Sequence, residues 1–265
     1  MQFTKAHSYG NDFLYIRADA LARGAEPGSL ARDLCERHTG IGADGLIVYE
    51  PASDGASMVL FNADGSRSEV SGNGVRGLAA ILLNHDERTA VSVTIQTEGG
   101  VKHLTRTQQS GSRQMFRAAM GLPTDLRQVS LVVAGESLTA AVMTFGNPQC
   151  VVLGALPDEG RFQRLGPALE RHPMFPDRTN VEFAAVEAAN AVRISIWERG
   201  VGPTTSSGTG SCASLIAAAA FGGAARDATV FAPGGSQRVE WRDDNVYLTG
   251  WAEVLFDGEW LRPFG

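Results

Sequence analysis

Cysteine is scarce in this 265-residue chain. Its three thiols, Cys35, Cys150 and Cys212, cannot pair completely, so a disulfide framework is excluded. Five histidines are scattered without ligand spacing, and no structural metal site is expected. Long apolar runs are missing too: the longest, Cys212–Phe221, is far too short for a bilayer span. Basic residues do not dominate, with 23 Lys and Arg against 29 Asp and Glu and a net charge of −6. A phosphate-neutralising face is therefore not expected, and neither nucleic acid nor membrane is an expected partner. The opening stretch, Met1–Phe13, has neither a basic leader nor an apolar core, which points to a cytoplasmic location.

The rest of the composition is that of a folded globular protein, 43% hydrophobic and 20% charged, long enough for one large domain or two smaller ones. Glycine is abundant at 31 residues, well above the usual share of about 7%. Many of these glycines stand beside Asn, Asp, Ser or Thr, a pattern of tight turns and backbone-lined pockets.

An internal repeat organises the chain. Ser71-Gly72-Asn73-Gly74 leads into an apolar run, and Ser207-Gly208-Thr209-Gly210 leads into another, at an offset of 136 residues. The same offset relates Gly10-Asn11 to Gly146-Asn147, Asp44 to Asn180 and Asn62 to Glu198. Landmarks that share one shift argue for a duplicated fold.

Alternating runs read as strands around these landmarks: DFLYI, SMVLFN, VSVTIQT, SLVVAG, LTAAVMTF, NVEFAAV, VRISIWE and DNVYLTG. Glu98-Gly99-Gly100 and Ala134-Gly135-Glu136 read as hairpin turns. Segments 74–83 and 210–221 read as helices apolar nearly all round, which must be wrapped on all sides. Amphipathic helices fit Leu30–His38 and Gly160–His172. The expected fold is α/β of the α+β type: two pseudo-symmetric halves, each a curved, mostly antiparallel sheet around one buried helix. Copy two has a strand-like lead, Gln128–Gly135, whose counterpart in copy one would precede residue 1. That strand must come from the chain end, around Glu259–Phe264. The expected division is 1–120 closed by 257–265, with 121–256 as the second half.

A Ser-Gly-X-Gly sequence at a helix start exposes unpaired backbone N–H groups at the positive end of the peptide dipoles. Such an end holds a carboxylate or phosphate and favours the anionic form of a group on its first turn. Serine is also an ordinary N-cap, and for one such site that plainer role weighs more. Two sites at equivalent places in a duplicated fold point to a shared one. Gly72, Gly74 and Gly77 also match the dinucleotide fingerprint in spacing. That motif needs a strand running straight into the glycine turn and an acidic residue about 20 positions on. Here Ala63–Val70 intervenes after Asn62 and no acidic candidate is clear.

The motifs His7–Phe13 (HSYGNDF), Arg37–Leu46 (RHTGIGADGL), Phe61–Ser66 (FNADGS), Ser71–Arg76 (SGNGVR), Phe145–Pro148 (FGNP), Thr179-Asn180-Val181, Trp197–Gly202 (WERGVG) and Ser207–Gly210 (SGTG) resemble the diaminopimelate epimerase family. They occur in order and span most of the chain. The resemblance implies two similar α/β halves with a cleft between them, no cofactor, and a homodimer. It implies an isomerase that interconverts LL- and meso-diaminopimelate, a precursor in lysine biosynthesis, by two-base transfer of the α-proton. It assigns the acid–base pair to Ser71 and Ser207. It assigns substrate binding to Asn11, Asn62, Gly72, Asn73, Asn147, Asn180, Glu198, Arg199, Gly208 and Thr209. Within that reading Arg199 suits a distal carboxylate, and Glu198 suits an ammonium.

Two departures stand out. The family carries cysteine at both acid–base positions, where this chain has serine, and Gln149 replaces the family's histidine after Gly-Asn-Pro. A thiol has a reference pKa of about 8.5, and a hydroxyl is several units weaker as an acid, at about 1.4 kcal/mol per unit. None of the three cysteines is placed to substitute. Alternatives are a related isomerase, racemase or dehydratase of the same fold acting on another amino acid, or a ligand-binding homologue of weak activity.

Overall fold

The computed structural model describes residues 1–21, 24–68 and 71–261. Its elements in chain order are β1 (Gln2–Ser8), β2 (Asn11–Arg17), α1 (Pro27–Cys35), β3 (Gly45–Ala52), β4 (Gly55–Asn62), β5 (Arg67–Ser68), α2 (Gly72–Leu82), β6 (Ser92–Thr97), β7 (Gly100–Ser110) and β8 (Arg113–Ala119). There follow β9 (Thr124–Val133), β10 (Glu136–Phe145), β11 (Asn147–Leu153), α3 (Glu159–Glu170), β12 (Asn180–Ala188), β13 (Ala191–Glu198), β14 (Gly202–Thr204), α4 (Gly208–Phe221), β15 (Asp227–Ala232), β16 (Gly235–Trp241) and β17 (Val246–Glu259). No helix among the described residues is long and apolar enough to cross a membrane.

The chain forms two compact units, Met1–Ala118 with Gly250–Gly265, and Ala119–Thr249. The second passage between units thus falls at Thr249/Gly250, inside β17, seven residues ahead of the 257 expected above.

In the first unit the sheet runs β1–β2–β3–β4–β6–β7–β8–β17, and β17 pairs with β1 to close the ring. All but β2–β3 and β4–β6 of the pairs with a printed register are antiparallel. The ring encloses α2, whose Val75, Leu78, Ala79 and Ala80 meet Tyr15, Ile47, Leu60, Ile95 and Phe116 in one buried cluster. A second cluster packs α1 on the other sheet face through Leu30, Ala31, Leu34, Leu14, Ile16 and Leu46.

The second unit repeats this plan. Its order is β9–β10–β11–β12–β13–β15–β16–β17. Met120 and Gly121 exchange backbone bonds with Val246 at 2.8 and 2.9 Å to close it. It wraps α4, where Cys212, Ala213, Leu215, Ile216, Ala217 and Ala218 are all fully buried. A helix made of alanine and branched apolar residues has no solvent face to offer, and the closed sheet supplies the wall. α3 packs outside through Leu165 and Leu169.

Both lead ladders are irregular, though not at the same position: the β1–β17 ladder slips between Lys5 and Ala6, and the β10–β9 ladder slips between Val142 and Thr144, beyond the position that the 136-residue offset would give. The lead strand β9 has as its counterpart the second half of β17. Glu253–Glu259 pairs with Gln2–His7, and Trp260 and Met1 exchange backbone bonds at 2.8 Å. The partner of β1 therefore meets the predicted 259–264 at Glu259 and Trp260 and extends back to Glu253, while 262–264 of the prediction lie outside the described residues. One landmark also shifts: Phe13 pairs with Gly45 and Gln149 with Asn180, so the ladder equates Asn180 with Gly45, not Asp44.

α1 begins and ends three residues before the predicted Leu30–His38. The Glu26 carboxylate accepts from the Gly28 and Ser29 N–H groups at 3.0 and 2.6 Å, with Pro27 at the first helical position, a strong start signal. At the other end Glu36 turns the chain by accepting from the His38 and Thr39 amides. Gly72, Gly74 and Gly77 open α2, and the last strand described ahead of them is the short β5, which pairs with β4. Gly77 is there for packing, since a Cβ would sit 2.0 Å from the Tyr15 hydroxyl oxygen.

Candidate active site

Each unit presents one capped helix N-terminus, and each is described within its own unit. Ser71 precedes α2 with extended backbone, and its hydroxyl accepts from the Gly74 N–H at 3.1 Å. Ser207 precedes α4 likewise, and its hydroxyl accepts from the Gly210 N–H at 3.1 Å. Both serines are N-caps, and both stay half-buried. The bond occupies a lone pair of each oxygen and leaves its proton to be donated elsewhere. Gly72 is exposed, and nothing lies within 4 Å of where its Cβ would stand.

In the first unit a polar chain braces the α2 end. Asn11 donates to Asp44 at 2.7 Å and accepts from Asn73 at 3.3 Å, and Asn73 accepts from Arg76 at 3.2 Å. Arg37 ties Asp44 and Asp12 together at 2.8 and 3.0 Å, and Lys5 reaches Asp12 at 2.9 Å. Burial raises the Asp12 carboxyl, but the bonds from Lys5 and Arg37 outweigh it and hold Asp12 below the usual carboxylate range. Asn62 stands opposite Gly45 at the end of β4 and donates to Ser66 at 2.9 Å, and the next amide, Ala63 N–H, bonds the Asp44 carbonyl. Arg76 is 2% exposed, one turn into α2, so a cation backs the Ser71 end.

In the second unit the equivalent position to Arg76 is Cys212, and carboxyls replace the cation. Glu182, on β12, is fully buried, and a Cβ on Gly210 would stand 2.5 Å from Glu182 Oε1 and 3.1 Å from Ser207 Oγ. Both oxygens thus face the first turn of α4. Burial, reinforced by the nearby Glu198 charge, pushes the Glu182 carboxyl up to about 8. Burial also raises Glu198, partly offset by a bond from Thr204. Gln149 lies between Glu182 and Asn147, its amide 2.5 Å from Asn147 Oδ1.

The corner that carries Glu198 and Arg199 is held from behind. Asn180 is 5% exposed. Its Oδ1 accepts from the Arg199 N–H at 2.9 Å and its Nδ2 donates to the Pro148 carbonyl at 3.4 Å. Its amide is spent on backbone, so it acts as a brace. The buried Glu170 at the end of α3 accepts from Trp197 Nε1 at 2.9 Å and the Gly200 N–H at 3.0 Å. The Arg199 side chain is exposed, with Nη1 on the Asp177 carbonyl at 3.1 Å. Thr209 lies 3.5 Å from Ser207 Oγ, and Gly208 opens the helix beside it.

The first unit therefore joins Asn11 and Asn73 through hydrogen bonds, with Asn62 adjoining at Asp44. The second joins Asn147 to Glu182 through Gln149, and Arg199 to Asn180. The thiols stay out: all three cysteines are buried, and burial pushes Cys35 up to about 12 and Cys150 well above the thiol range. Glu182 and Glu170 escaped the sequence reading. Glu182 sits in an alternating strand where either face is open to a charged residue until α4 is in place, and Glu170 reads as the polar end of an amphipathic helix.

The family model described as diaminopimelate epimerase matches residues 3–124 and 141–255. A diaminopimelate epimerase of Desulforudis audaxviator is 40% identical, covering 99% of this chain and 100% of that protein. Those of Nostoc punctiforme and Methanococcus maripaludis are 38% and 35% identical, each over 98% of this chain and 99% of the relative. Among solved structures, a predicted epimerase from Pseudomonas aeruginosa has a TM-score of 0.74 at 13% identity, covering 99% of both chains. A probable proline racemase from Agrobacterium radiobacter has 0.73 at 17%, covering 98% of this chain and 92% of that one. At such identities these two speak for the fold alone. With a family model over most of its length and relatives matched end to end, the chain belongs to the diaminopimelate epimerase family.

Proposed function

We propose that this protein is a cofactor-independent isomerase that interconverts LL- and meso-diaminopimelate by moving the α-proton between Ser71 and Ser207. The observation that carries this reading is the matched pair of helix ends. Each unit offers one serine hydroxyl bonded to the third amide of its helix, with further first-turn N–H groups beside it. In this reading each serine serves one face of the α-carbon. The helix amides of Gly72-Asn73 and Gly208-Thr209 hold the α-carboxylate and the charge that builds on it as the proton leaves. Asn11, Asn62, Asn147 and Asn180 line or brace the site, Glu198 meets the distal ammonium and Arg199 the distal carboxylate.

The two ends differ in electrostatics, and this gives them different resting states. The Arg76 cation behind α2 favours an alkoxide on Ser71, whereas the Glu198 charge near the α4 end favours the neutral hydroxyl of Ser207. Ser71 therefore begins as the base, entering as its alkoxide after its hydroxyl proton has passed to solvent: the α-C–H bond breaks, its electron pair stays on carbon, and the proton goes to Ser71 Oγ. Ser207 begins as the acid: its O–H bond breaks and the proton joins the other face of the carbanion. The reverse reaction exchanges the roles.

The test is epimerase turnover on LL-diaminopimelate without added cofactor, with Ser71→Ala and Ser207→Ala as controls. Turnover lost in both variants, while each still unfolds cooperatively, supports the reading. Turnover retained in either would remove that serine from the mechanism.

A further inference from the structure

We propose that Glu182 carries a proton in the working enzyme, and that this proton fixes the polarity of a Glu182–Gln149–Asn147 chain so that Asn147 presents its Nδ2 donor to an anionic substrate group. The inference rests on the reading of Asn147 as a substrate-binding residue and adds to it a positioning residue, Glu182, and a rule for which groups the site accepts.

The number of protons on this chain sets its polarity. In one arrangement Gln149 Nε2 donates to Asn147 Oδ1 at 2.5 Å, and the Gln149 oxygen faces the two Glu182 oxygens at 3.1 and 3.3 Å. Two acceptors at hydrogen-bond distance need a proton between them, so this arrangement requires a neutral Glu182 that donates to Gln149. Asn147 then accepts on its oxygen and keeps its NH2 group for a ligand. In the opposite arrangement the Gln149 amide is turned over. Its nitrogen donates to an ionised Glu182 at the same distances, its oxygen demands a donor from Asn147, and Asn147 is left to offer its carbonyl oxygen. One proton therefore decides whether Asn147 shows a donor or an acceptor. An amide donor suits a carboxylate, and an exposed carbonyl repels one.

The surroundings favour the protonated form. Gln149 is 1% exposed and Glu182 is fully buried. The groups that face Glu182 are Gln149 from β11, Glu198 from β13, and the Gly210 and Ser207 end of α4, while the Cys150 thiol packs on the other face of the sheet with Val181 and Phe183. The titratable group acting on Glu182 is another carboxyl, Glu198, which disfavours a second negative charge. The α4 N-terminus favours the anion, yet burial prevails and places the titration near pH 8.

The test reads the ligand-free protein first. Side-chain amide resonances of Gln149 and Asn147 are followed by NMR from about pH 6 to 10 in the parent and in Glu182→Gln, whose amide donates to Gln149 at every pH. The expected result is one shared titration of both amides in the parent, absent from Glu182→Gln. Amides that stay flat in the parent would overturn the proposal, as would a titration that survives the substitution. The second measurement is KM for diaminopimelate against pH. Above the midpoint the donor-out form falls about tenfold per pH unit, and KM rises in proportion. Glu182→Gln removes that extra rise while leaving any contribution from the substrate's own ammonium groups. Equal alkaline slopes in parent and variant would contradict the proposal. The NMR arm needs no turnover, so it stands or falls separately from the epimerase reading.

Discussion

Single side chains decide the chemistry of this protein, and the most telling are the two serines at the helix ends, Ser71 and Ser207. Each hydroxyl is fixed by an amide of its own helix, which orients the oxygen but supplies far less acidity than a thiol has by nature. Replacing Ser71 and Ser207 together by cysteine is expected to raise turnover by at least tenfold, because the reference acidity improves by several units, each a factor of ten in ionised fraction. Steady-state assays of the double variant check this. The two serine-capped helix ends were legible in the sequence through the repeat, and the motifs pointed to the proposed binding set around them. Glu182 was not: its neighbours on the strand alternate in the usual way, and only the placement of α4 over β12 reveals it as fully buried. Its raised carboxyl also has a stability consequence. The folded protein holds this proton up to about pH 8, whereas an unfolded chain releases it near 4.5. Stability from this group is therefore complete below 4.5 and is lost as pH rises toward 8, at a slope of up to about 1.4 kcal/mol per pH unit. Chemical denaturation at pH 5 and pH 8 is expected to show a smaller loss in Glu182→Gln than in the parent.

At the level of elements, the two central helices are legible from their apolar runs, and their ends fall within two residues of the expected ones. The outer helix α1 is displaced because a carboxylate cap at Glu26 and a proline at position 27 outweigh the apolar periodicity. Strands such as β7, Gly100–Ser110, escaped notice because half of their residues are polar and face outward. The turn at Ala134-Gly135 was readable, and the structure gives the reason: both residues have positive φ, 48° and 81°, the signature of a tight hairpin that fits twisted strands. The close fit of α2 to its wall gives a test at this scale. Gly77→Ala would drive a methyl into the Tyr15 hydroxyl, which itself donates to the Gly74 carbonyl at 3.0 Å. Thermal unfolding should show a loss of about 1–3 kcal/mol. A second test concerns the corner carrying Glu198 and Arg199. Glu170→Ala removes the acceptor for Trp197 and Gly200, and KM is expected to rise several-fold with a smaller change in kcat.

For the whole molecule, the governing fact is duplication. Each unit closes a ring of strands around one buried helix, α2 in one and α4 in the other. The offset read from polar landmarks revealed this before any apolar identity did. Polar residues at turns and helix ends are fixed by backbone geometry and function, while core residues drift as long as volume is kept. What the offset could not reveal was that β17 alone, fourteen residues long, supplies strands to both rings.

The central claim is that two serines act as separate acid and base on one carbon. Its most direct measurement is the early pattern of deuterium when LL-diaminopimelate turns over in deuterated water. Two distinct groups predict that the meso product gains an α-deuteron while recovered starting material keeps its proton. Equal early labelling of both isomers, or no α-exchange at high protein concentration, would contradict the account.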